Sequence, residues 1–436
     1  MRSHEGRNNR RDVQHSASAR LSPCSPWLNR LLRVLVVFAL CFSFGRIAIG
    51  ETLDLSGIVF EDANSNGAHD AGEKLLFGVV VSDGKDIAAT DERGAYRLRT
   101  ETGTIVFVSV PGTHHAQNNK FYRDTGALTK GENKVNFPLV RNSDTADNGR
   151  FTFVFVTDTH SSPLRNAPEG IRKAYGQVAE LNPAFVVHGG DVILDALKLN
   201  DEGKVAVQYD LYTNQLAPII KKPFYHTLGN HDVFGWVGLP NPKPAPELYG
   251  KKGYEKYLGP TYYSFNYKHC HFVVLDSIGR TNDRAEGSTY YGFVDPAQLE
   301  WLRKDLSKVS TSTPIVIVTH IPTINALGSL YGLKSEVVTT PSGDPAPKHQ
   351  VQNFAQLLGE TLKGYNFKLA LAGHYHTYEE IHWHDNQHDA LFVVGGSICG
   401  EWWKGDRTVG AASWPEGFTV VKVNGQEFKP SYAPYG

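Results

Sequence analysis

Five short groups of polar residues, each placed directly after an apolar run, constrain the fold of this 436-residue chain most. The apolar runs are residues 151–156, 184–187, 223–228, 315–318 and 367–372. The groups that follow them are Asp158-Thr159-His160, Gly190-Asp191, Gly229-Asn230-His231-Asp232, His320 and Gly373-His374-Tyr375-His376. Short apolar runs with amphipathic segments between them are typical of buried strands in an α/β sheet. Because such sheets bind ligands where strands end on their carboxyl side, we expect the five groups to converge on one rim.

The side chains in these groups indicate a metal site. Imidazole binds Zn, Fe and Mn, and a carboxylate can bridge two such ions. Asp158 and His160 are two residues apart, as are His374 and His376, and in a regular strand this spacing puts both side chains on one face. A site for two metal ions is therefore the first hypothesis. The alternative is a set of core or rim histidines that are satisfied by hydrogen bonds.

In their order, the five groups resemble the pattern of the calcineurin-like metallophosphoesterase family, which is D-x-H, G-D, G-N-H-[DE], H and G-H-x-H. The resemblance covers about residues 151–396 and extends to flanking stretches such as residues 259–265 and 298–302. It implies an α/β layered metallophosphoesterase sheet with flanking helices in residues 150–397. Segments 168–181, 201–221 and 295–309 are predicted to be helices of this domain.

The resemblance also implies a role for each candidate residue. The ligands of the first metal ion would be Asp158, His160, Asp191 and His376. The ligands of the second ion would be Asp191, Asn230, His320 and His374. Asp191 would therefore bridge two divalent ions, which are expected to be Mn, Fe or Zn. In the family, the residue at His231 stabilises or protonates the leaving oxygen, and we expect Asp232 to hold the tautomer of His231.

The function implied by the resemblance is hydrolysis of phosphate monoesters or diesters by a hydroxide that two metal ions activate. The sequence leaves the choice between monoesters and diesters open. One alternative is a calcium-dependent surface or binding protein with a vestigial metal site, which the complete set of seven ligands disfavours. A second alternative is a nucleotidase. The proline-rich loop 236–259 is expected to form a wall of the substrate pocket.

Residues 51–145 precede this domain and predict a small all-β sandwich with antiparallel strands, because short apolar stretches alternate with turns rich in Gly and Asp. Within them, residues 62–73 satisfy the calcium-loop pattern D-x-[DN]-x-[DN]-G-x5-E. The expected oxygen ligands are Asp62, Asn64, Asn66, Asp70 and Glu73. The flanks are strand-like, so the loop is EF-hand-like, and a polar turn without an ion is the alternative.

The same stretch resembles the repeat domains of bacterial surface proteins and the carboxypeptidase-regulatory-like sandwiches. Such modules also precede the catalytic domain in some exported bacterial phosphoesterases, which implies a spacer or a wall on the substrate side. At the other end of the chain, residues 398–436 are too short for a further domain and are expected to add a short β extension.

The first 50 residues differ in composition from the rest. They contain eight Arg, no Lys and two acidic residues, and they include the apolar run 34–44. That run is too short to span a bilayer and is typical of a signal peptide, with an uncleaved anchor as the alternative. We therefore expect an exported protein: periplasmic, extracellular or on the cell surface. The remaining 36 basic and 43 acidic residues show no basic stripe, so the expected partner is a small phosphate ester and not a long nucleic acid.

Overall fold

The computed structural model describes residues 51–144, 148–163, 167–281, 289–326, 336–399 and 415–435. The predicted signal peptide or anchor in residues 1–50 lies outside these ranges and stays a prediction. Within the described ranges, no helix has the length and apolar character needed to cross a membrane.

The N-terminal module contains nine strands and no α-helix among its described residues. The strands are β1 (Thr52–Glu61), β2 (Val80–Ser82), β3 (Ile87–Ala89), β4 (Ala95–Glu101), β5 (Ile105–Val108), β6 (His114–His115), β7 (Tyr122–Asp124), β8 (Gly131–Lys134) and β9 (Phe137–Arg141). One sheet has the order β4-β1-β9-β6 with β8 also paired to β1, and the other has the order β3-β2-β5-β7. The expected all-β sandwich is confirmed. Its strands are not all antiparallel, because β1 pairs in parallel with both β8 and β9.

The rest of the chain supplies fifteen further strands among the described residues. They are β10 (Arg150–Val156), β11 (Val186–His188), β12 (Phe224–His226), β13 (Tyr263–Tyr267), β14 (Cys270–Val274), β15 (Ile278–Arg280), β16 (Tyr290–Gly292), β17 (Ile315–Val318), β18 (Val337–Thr339), β19 (Pro345–Pro347), β20 (Phe367–Ala372), β21 (Glu379–His384), β22 (Asp389–Val394), β23 (Gly417–Asn424) and β24 (Glu427–Pro434).

Two larger sheets organise these strands. The first has the order β12-β11-β10-β23-β24, in which β10, β11 and β12 are parallel. The second has the order β13-β14-β17-β20-β22-β21, in which β14, β17, β20 and β22 are parallel. Aromatic rings pack between the two sheets. Phe153 on β10 and Phe185, which directly precedes β11, both contact Phe272 on β14 of the second sheet. The expected layered α/β architecture is confirmed.

The described residues contain five α-helices: α1 (Ala167–Glu180), α2 (Glu202–Leu211), α3 (Lys252–Leu258), α4 (Pro296–Leu306) and the single turn α5 (Phe354–Gln356). The helices α1, α2 and α4 lie in the segments predicted to be helical. The helix α3 lies within residues 236–259, which were expected to be a loop, and α5 was not predicted. Ile171, Ala174 and Val178 of α1 are buried as an amphipathic helix requires. Leu181 follows the end of α1 and is 49% exposed. Asp295 caps α4 by accepting a hydrogen bond from the Ala297 N–H.

The module packs directly against the larger α/β domain. The Trp301 indole N–H of α4 donates to the Ser82 hydroxyl of β2 at 3.0 Å. The Phe121 ring lies 4.8 Å from the ring of Tyr263 on β13, measured between centroids. All four of these residues are buried. The module is therefore packed onto the larger domain and is not a detached spacer.

Candidate metal centre

The predicted ligands lie where strands of both sheets end. In the first sheet, β10, β11 and β12 end shortly before Asp158, Asp191 and Asn230. In the second sheet, β17 and β20 end shortly before His320 and His374. The carboxyl ends of parallel strands from two packed sheets therefore form one rim, as expected of ligand sites in such sheets.

The backbone at this rim is left-handed at five of the seven predicted ligands. The φ angles are 53° at Asp158, 47° at His160, 54° at Asp191, 76° at His374 and 57° at His376. Non-glycine residues seldom adopt this conformation, and they do so mainly where function requires it. The expectation that strand pleating aligns each pair of ligands was wrong, since both pairs lie beyond their strands.

Hydrogen bonds hold these unusual turns in place. The Asp158 N–H donates to the Gly190 carbonyl and the His160 N–H donates to the Asp191 carbonyl, both at 3.0 Å. The His374 N–H donates to the Asp158 carboxylate at 3.0 Å. The three turns therefore support one another across the rim, and none of them is set by its own sequence alone.

Two motif glycines are required by close approach. A Cβ at Gly229 would lie 2.1 Å from the Asp191 carboxylate oxygen, and a Cβ at Gly373 would lie 2.0 Å from the Thr157 hydroxyl. Real Cβ atoms do not come so close to other heavy atoms. Any side chain at either position would therefore displace a predicted ligand or the residue beside it.

One cluster of donor atoms comprises Asp158, His160 and His376, whose ligand atoms all lie within 4.8 Å of one another. The Nε2 atoms of His160 and His376 are 3.1 Å apart. The His376 Nε2 is also 3.3 Å from the Asp158 Oδ1. His160 Nδ1 lies 3.3 Å from the Leu194 carbonyl, so it can carry the ring proton and leave the Nε2 lone pair facing the cluster.

A second cluster comprises Asp191, His320 and His374, again with ligand atoms within 4.8 Å. The His320 Nε2 is 3.2 Å from the Asp191 Oδ2, 3.1 Å from the Asn230 Oδ1 and 3.2 Å from the His374 Nδ1. The His320 Nδ1 lies 2.8 Å from the Gly189 carbonyl and can donate to it. The Nε2 atom therefore faces the carboxylate and amide oxygens.

The protonation states suit cations. Burial lowers the pKa of His160 to about 3 and the pKa of His374 well below its usual value, so both rings are neutral. Burial alone would raise the pKa of Asp191, but His320 and His231 outweigh it and lower the pKa well below its ordinary value. Burial would also lower the pKa of His320, yet Asp191 raises it to about 9. The neutral rings of His160 and His374 and the ionised Asp191 carboxylate fit divalent ions, whereas His320 is protonated in the metal-free chain and gives up that proton when an ion binds.

The family model of the calcineurin-like phosphoesterases matches residues 151–378, more than half of the chain. A second model, the N-terminal domain of calcineurin-like phosphoesterases, matches residues 63–142. The chain is a calcineurin-like phosphoesterase. It is therefore a metal-dependent hydrolase of phosphoric esters, and the module belongs to the companion domain of the same family. No curated protein sequence matches it.

Several solved structures resemble this phosphoesterase. A dimetal phosphatase from Danio rerio is 15% identical, covers 66% of this chain and 99% of its own, and gives a TM-score of 0.40. Purple acid phosphatase PPD1 from yellow lupin (Lupinus luteus) seeds is 14% identical, covers 89% and 68%, and gives 0.45. GAP50 from Plasmodium is 16% identical, covers 65% and 84%, and gives 0.37.

His231 of the phosphoesterase pairs with a residue that was not predicted. Its Nδ1 lies 3.6 Å from the Asp195 Oδ1, and both side chains are about a quarter exposed. The expected partner Asp232 is engaged elsewhere: its carboxylate accepts from the backbone N–H groups of Val192, Ile193 and Gly229. The expectation that Asp232 orients His231 was therefore wrong. Asp195 could have been noticed from its place four residues after Asp191 in a run that is otherwise apolar.

His231 also lies near the first cluster. With His160 and Asp191 it forms a third set of donor atoms within 4.8 Å of one another. The centroids of the His231 and His160 rings are 4.9 Å apart and the rings are nearly perpendicular. The geometry thus allows His231 either to face a substrate or to join the first ion, and a variant separates the two roles.

A cavity of about 490 Å³ opens beside Asn230 and His231. Its other walls come from four places in the chain: residues 197–198, Val237, the strand β16 region with Tyr290, and the segment 336–348 with Val337 and Lys348. Residues 236–259 were expected to form a wall of the pocket. Of these residues, only Val237 lines the cavity, next to Asn230 and His231, which precede the segment. The hairpin β18–β19 and its flanks form the larger wall, which sequence reasoning did not identify because no motif marks residues 336–349.

Proposed function

We propose that the chain hydrolyses phosphate monoesters or diesters at a centre of two divalent transition ions, Mn, Fe or Zn, bridged by Asp191. The observation that carries the proposal is the position of this carboxylate between the two clusters. Its Oδ2 lies 3.8 Å from the His160 Nε2 of the first cluster and 3.2 Å from the His320 Nε2 of the second. A carboxylate in this position is suited to hold two cations a few Å apart.

The residues divide the work of the reaction. When bound, two such ions would polarise the phosphoryl oxygens and make water a stronger nucleophile at neutral pH. Asp158, His160 and His376 would hold the first ion, and Asn230, His320 and His374 the second. During hydrolysis the water oxygen bonds to phosphorus while the bond from phosphorus to the leaving oxygen breaks.

The leaving oxygen then needs a proton, and His231 is placed to provide it. His231 lines the cavity, whereas six of the seven predicted ligands do not. Burial alone would lower its pKa, but Asp191 and Asp195 outweigh burial and raise the pKa above its ordinary value. A raised pKa favours the protonated form of the ring, which a general acid requires. The cavity beside it has room for the alcohol part of the ester.

The test uses the purified chain after metal removal and reconstitution. We expect close to two transition ions per chain and turnover of an aryl phosphate, a bis-aryl phosphate or both. Comparing the two esters decides between monoesterase and diesterase, and a panel of nucleotides and natural phosphodiesters then narrows the substrate. No bound ions and no turnover of either ester would refute the proposal.

We also propose that residues 62–73 bind calcium. Support comes from the motif and from the way its side chains gather around one carboxylate. The side-chain amides of Asn64 and Asn66 both contact Asp70 at 2.8 Å, and the Glu73 carboxylate accepts from the Ala63 and Asp70 N–H groups. Added Ca²⁺ should raise the melting temperature of the whole chain, because a ligand of the native state stabilises it. The variant Glu73→Gln should show a much smaller rise; equal rises would contradict a site in this loop.

Export of the protein is a further proposal, supported by the basic leader and the apolar run 34–44. It predicts that the mature chain is recovered outside the cytoplasm, with a new N-terminus near residue 51. Recovery of the full-length chain in the cytoplasmic fraction would contradict it. The substrate of an exported enzyme of this charge is proposed to be a small phosphate ester.

A further inference from the structure

His349 contacts the predicted ligand His374 from outside the two clusters. The His349 Nδ1 lies 2.7 Å from the His374 Nε2, and the two rings are inclined by only 27°. The opposite ring nitrogen of His374, Nδ1, faces His320 at 3.2 Å. The ring of His374 therefore stands between the second cluster on one side and His349 on the other.

A chain of hydrogen bonds determines which nitrogen of each ring carries the proton. The Glu336 Oε2 lies 3.4 Å from the His349 Nε2, and a carboxylate accepts a proton donor there. The His349 Nδ1 then keeps its lone pair and accepts from the His374 Nε2–H. As a result, the His374 Nδ1 keeps a lone pair that points at the second cluster. Metal-bound histidines depend on outer partners of this kind.

The segment that carries His349 is anchored independently of these contacts. The backbone N–H of Val351 donates to the Pro322 carbonyl at 2.9 Å, and that of Gln352 donates to the Gly292 carbonyl at 2.8 Å. Glu336 lies opposite Lys348 at the open end of the hairpin and is fixed there, because Lys348 Nζ contacts its carboxylate at 2.7 Å and the Lys348 N–H donates to its carbonyl. The ring of His349 thus approaches His374 from a defined direction.

We propose that His349, backed by Glu336, is a positioning residue that fixes the tautomer and orientation of His374 for the second metal ion. The inference rests on the two-metal site of the proposed function. It assigns to the β18–β19 hairpin a role besides lining the cavity, since the hairpin then also supports one ligand of the second ion.

The experiment measures the affinity of both ions, not activity. The metal-free chain is titrated with Mn²⁺ or Zn²⁺ in a chelator buffer, and bound metal is counted after equilibrium dialysis. His349→Ala should weaken one of the two ions by about 10- to 100-fold, the usual cost of losing an outer partner of a ligand. The other ion should bind as in the unaltered chain.

Three further chains make the result specific. His349→Asn places an amide oxygen at the position of Nδ1, so it keeps an acceptor for His374 and should restore most of the affinity. His374→Ala removes the ligand itself and should abolish the same ion. His384→Ala is the matched control, because His384 is 83% exposed on β21 and makes no contact with either cluster.

The outcomes separate the explanations. Loss of one ion in His349→Ala with recovery in His349→Asn supports the positioning role. Unchanged affinity in His349→Ala, equal weakening of both ions, or an Asn variant as weak as the Ala variant overturns it. If the unaltered chain binds fewer than two ions, the proposed function fails before the question of His349 arises.

Discussion

Replacing His231 by alanine should slow hydrolysis without removing the metal ions. The backbone of His231 stays anchored in the variant, because its N–H donates to the Asp191 Oδ1 at 2.8 Å and its carbonyl accepts from Ala196 at 2.7 Å. Neither bond involves the imidazole. Asp191 therefore keeps its position when the ring is lost, and a side chain that is 26% exposed leaves no closed cavity.

The size of the effect follows from the role of the ring. Loss of a positioned proton donor lowers rates by about 100- to 10,000-fold, which corresponds to about 2.7 to 5.4 kcal/mol of barrier. The Asp195 carboxylate is 3.6 Å from the His231 Nδ1. Opposite charges at such a separation interact by about 1 kcal/mol in water and about 4 kcal/mol at an effective dielectric constant of about 20. Because both groups are partly exposed, Asp195→Asn should cost only about tenfold.

The assay compares an aryl phosphate ester with an alkyl phosphate ester that the unaltered enzyme accepts. The loss in His231→Ala should be small for the aryl ester, whose leaving oxygen needs little protonation, and large for the alkyl ester. Metal content is measured in the same samples, and His382→Ala on β21 is the control. An equal slowing of both esters would mean that His231 stabilises phosphate charge, and loss of an ion would mean that it is a ligand.

Three other changes test the rim itself. Asp191→Ala should lose metal and activity on every ester, as measured by metal analysis and rates; retention of both ions would exclude a bridging role. Gly373→Ala should weaken metal binding, because its new Cβ would meet the Thr157 hydroxyl at 2.0 Å, and normal affinity in a folded variant would contradict that steric argument. In the metal-free chain Asp191 raises the pKa of His320 to about 9, and an ion must displace that proton. Metal affinity should therefore fall by up to about tenfold for each pH unit below that pKa. An affinity that does not change between about pH 6 and pH 9 would refute this competition between the ion and the proton.

The fold and the set of metal ligands could be predicted from the sequence, because each polar group directly follows a predicted strand. Each apolar run ends beside a polar group, and parallel strands bring such groups to one rim whatever lies between them. Asp191, His320 and His374 meet for this reason. The sequence did not reveal how the turns achieve it, since left-handed residues at Asp158 and His160 are held by hydrogen bonds from other strand ends.

The partners of the ligands were less accessible. Adjacency in sequence suggested Asp232 as the partner of His231, but the Asp232 carboxylate satisfies three backbone N–H groups instead. The true neighbour, Asp195, comes from another segment. His349 has no motif around it and reaches His374 only because the β18–β19 hairpin folds over the rim. Contacts made by such hairpins depend on tertiary packing, which local patterns do not encode.

The most direct test of the two-metal centre is anomalous X-ray scattering from crystals of the chain reconstituted with Mn²⁺. We expect two anomalous peaks a few Å apart, with the Asp191 carboxylate between them. Asp158, His160 and His376 should surround the first peak, and Asn230, His320 and His374 the second. A single peak, or two peaks of which only one contacts Asp191, would contradict the account.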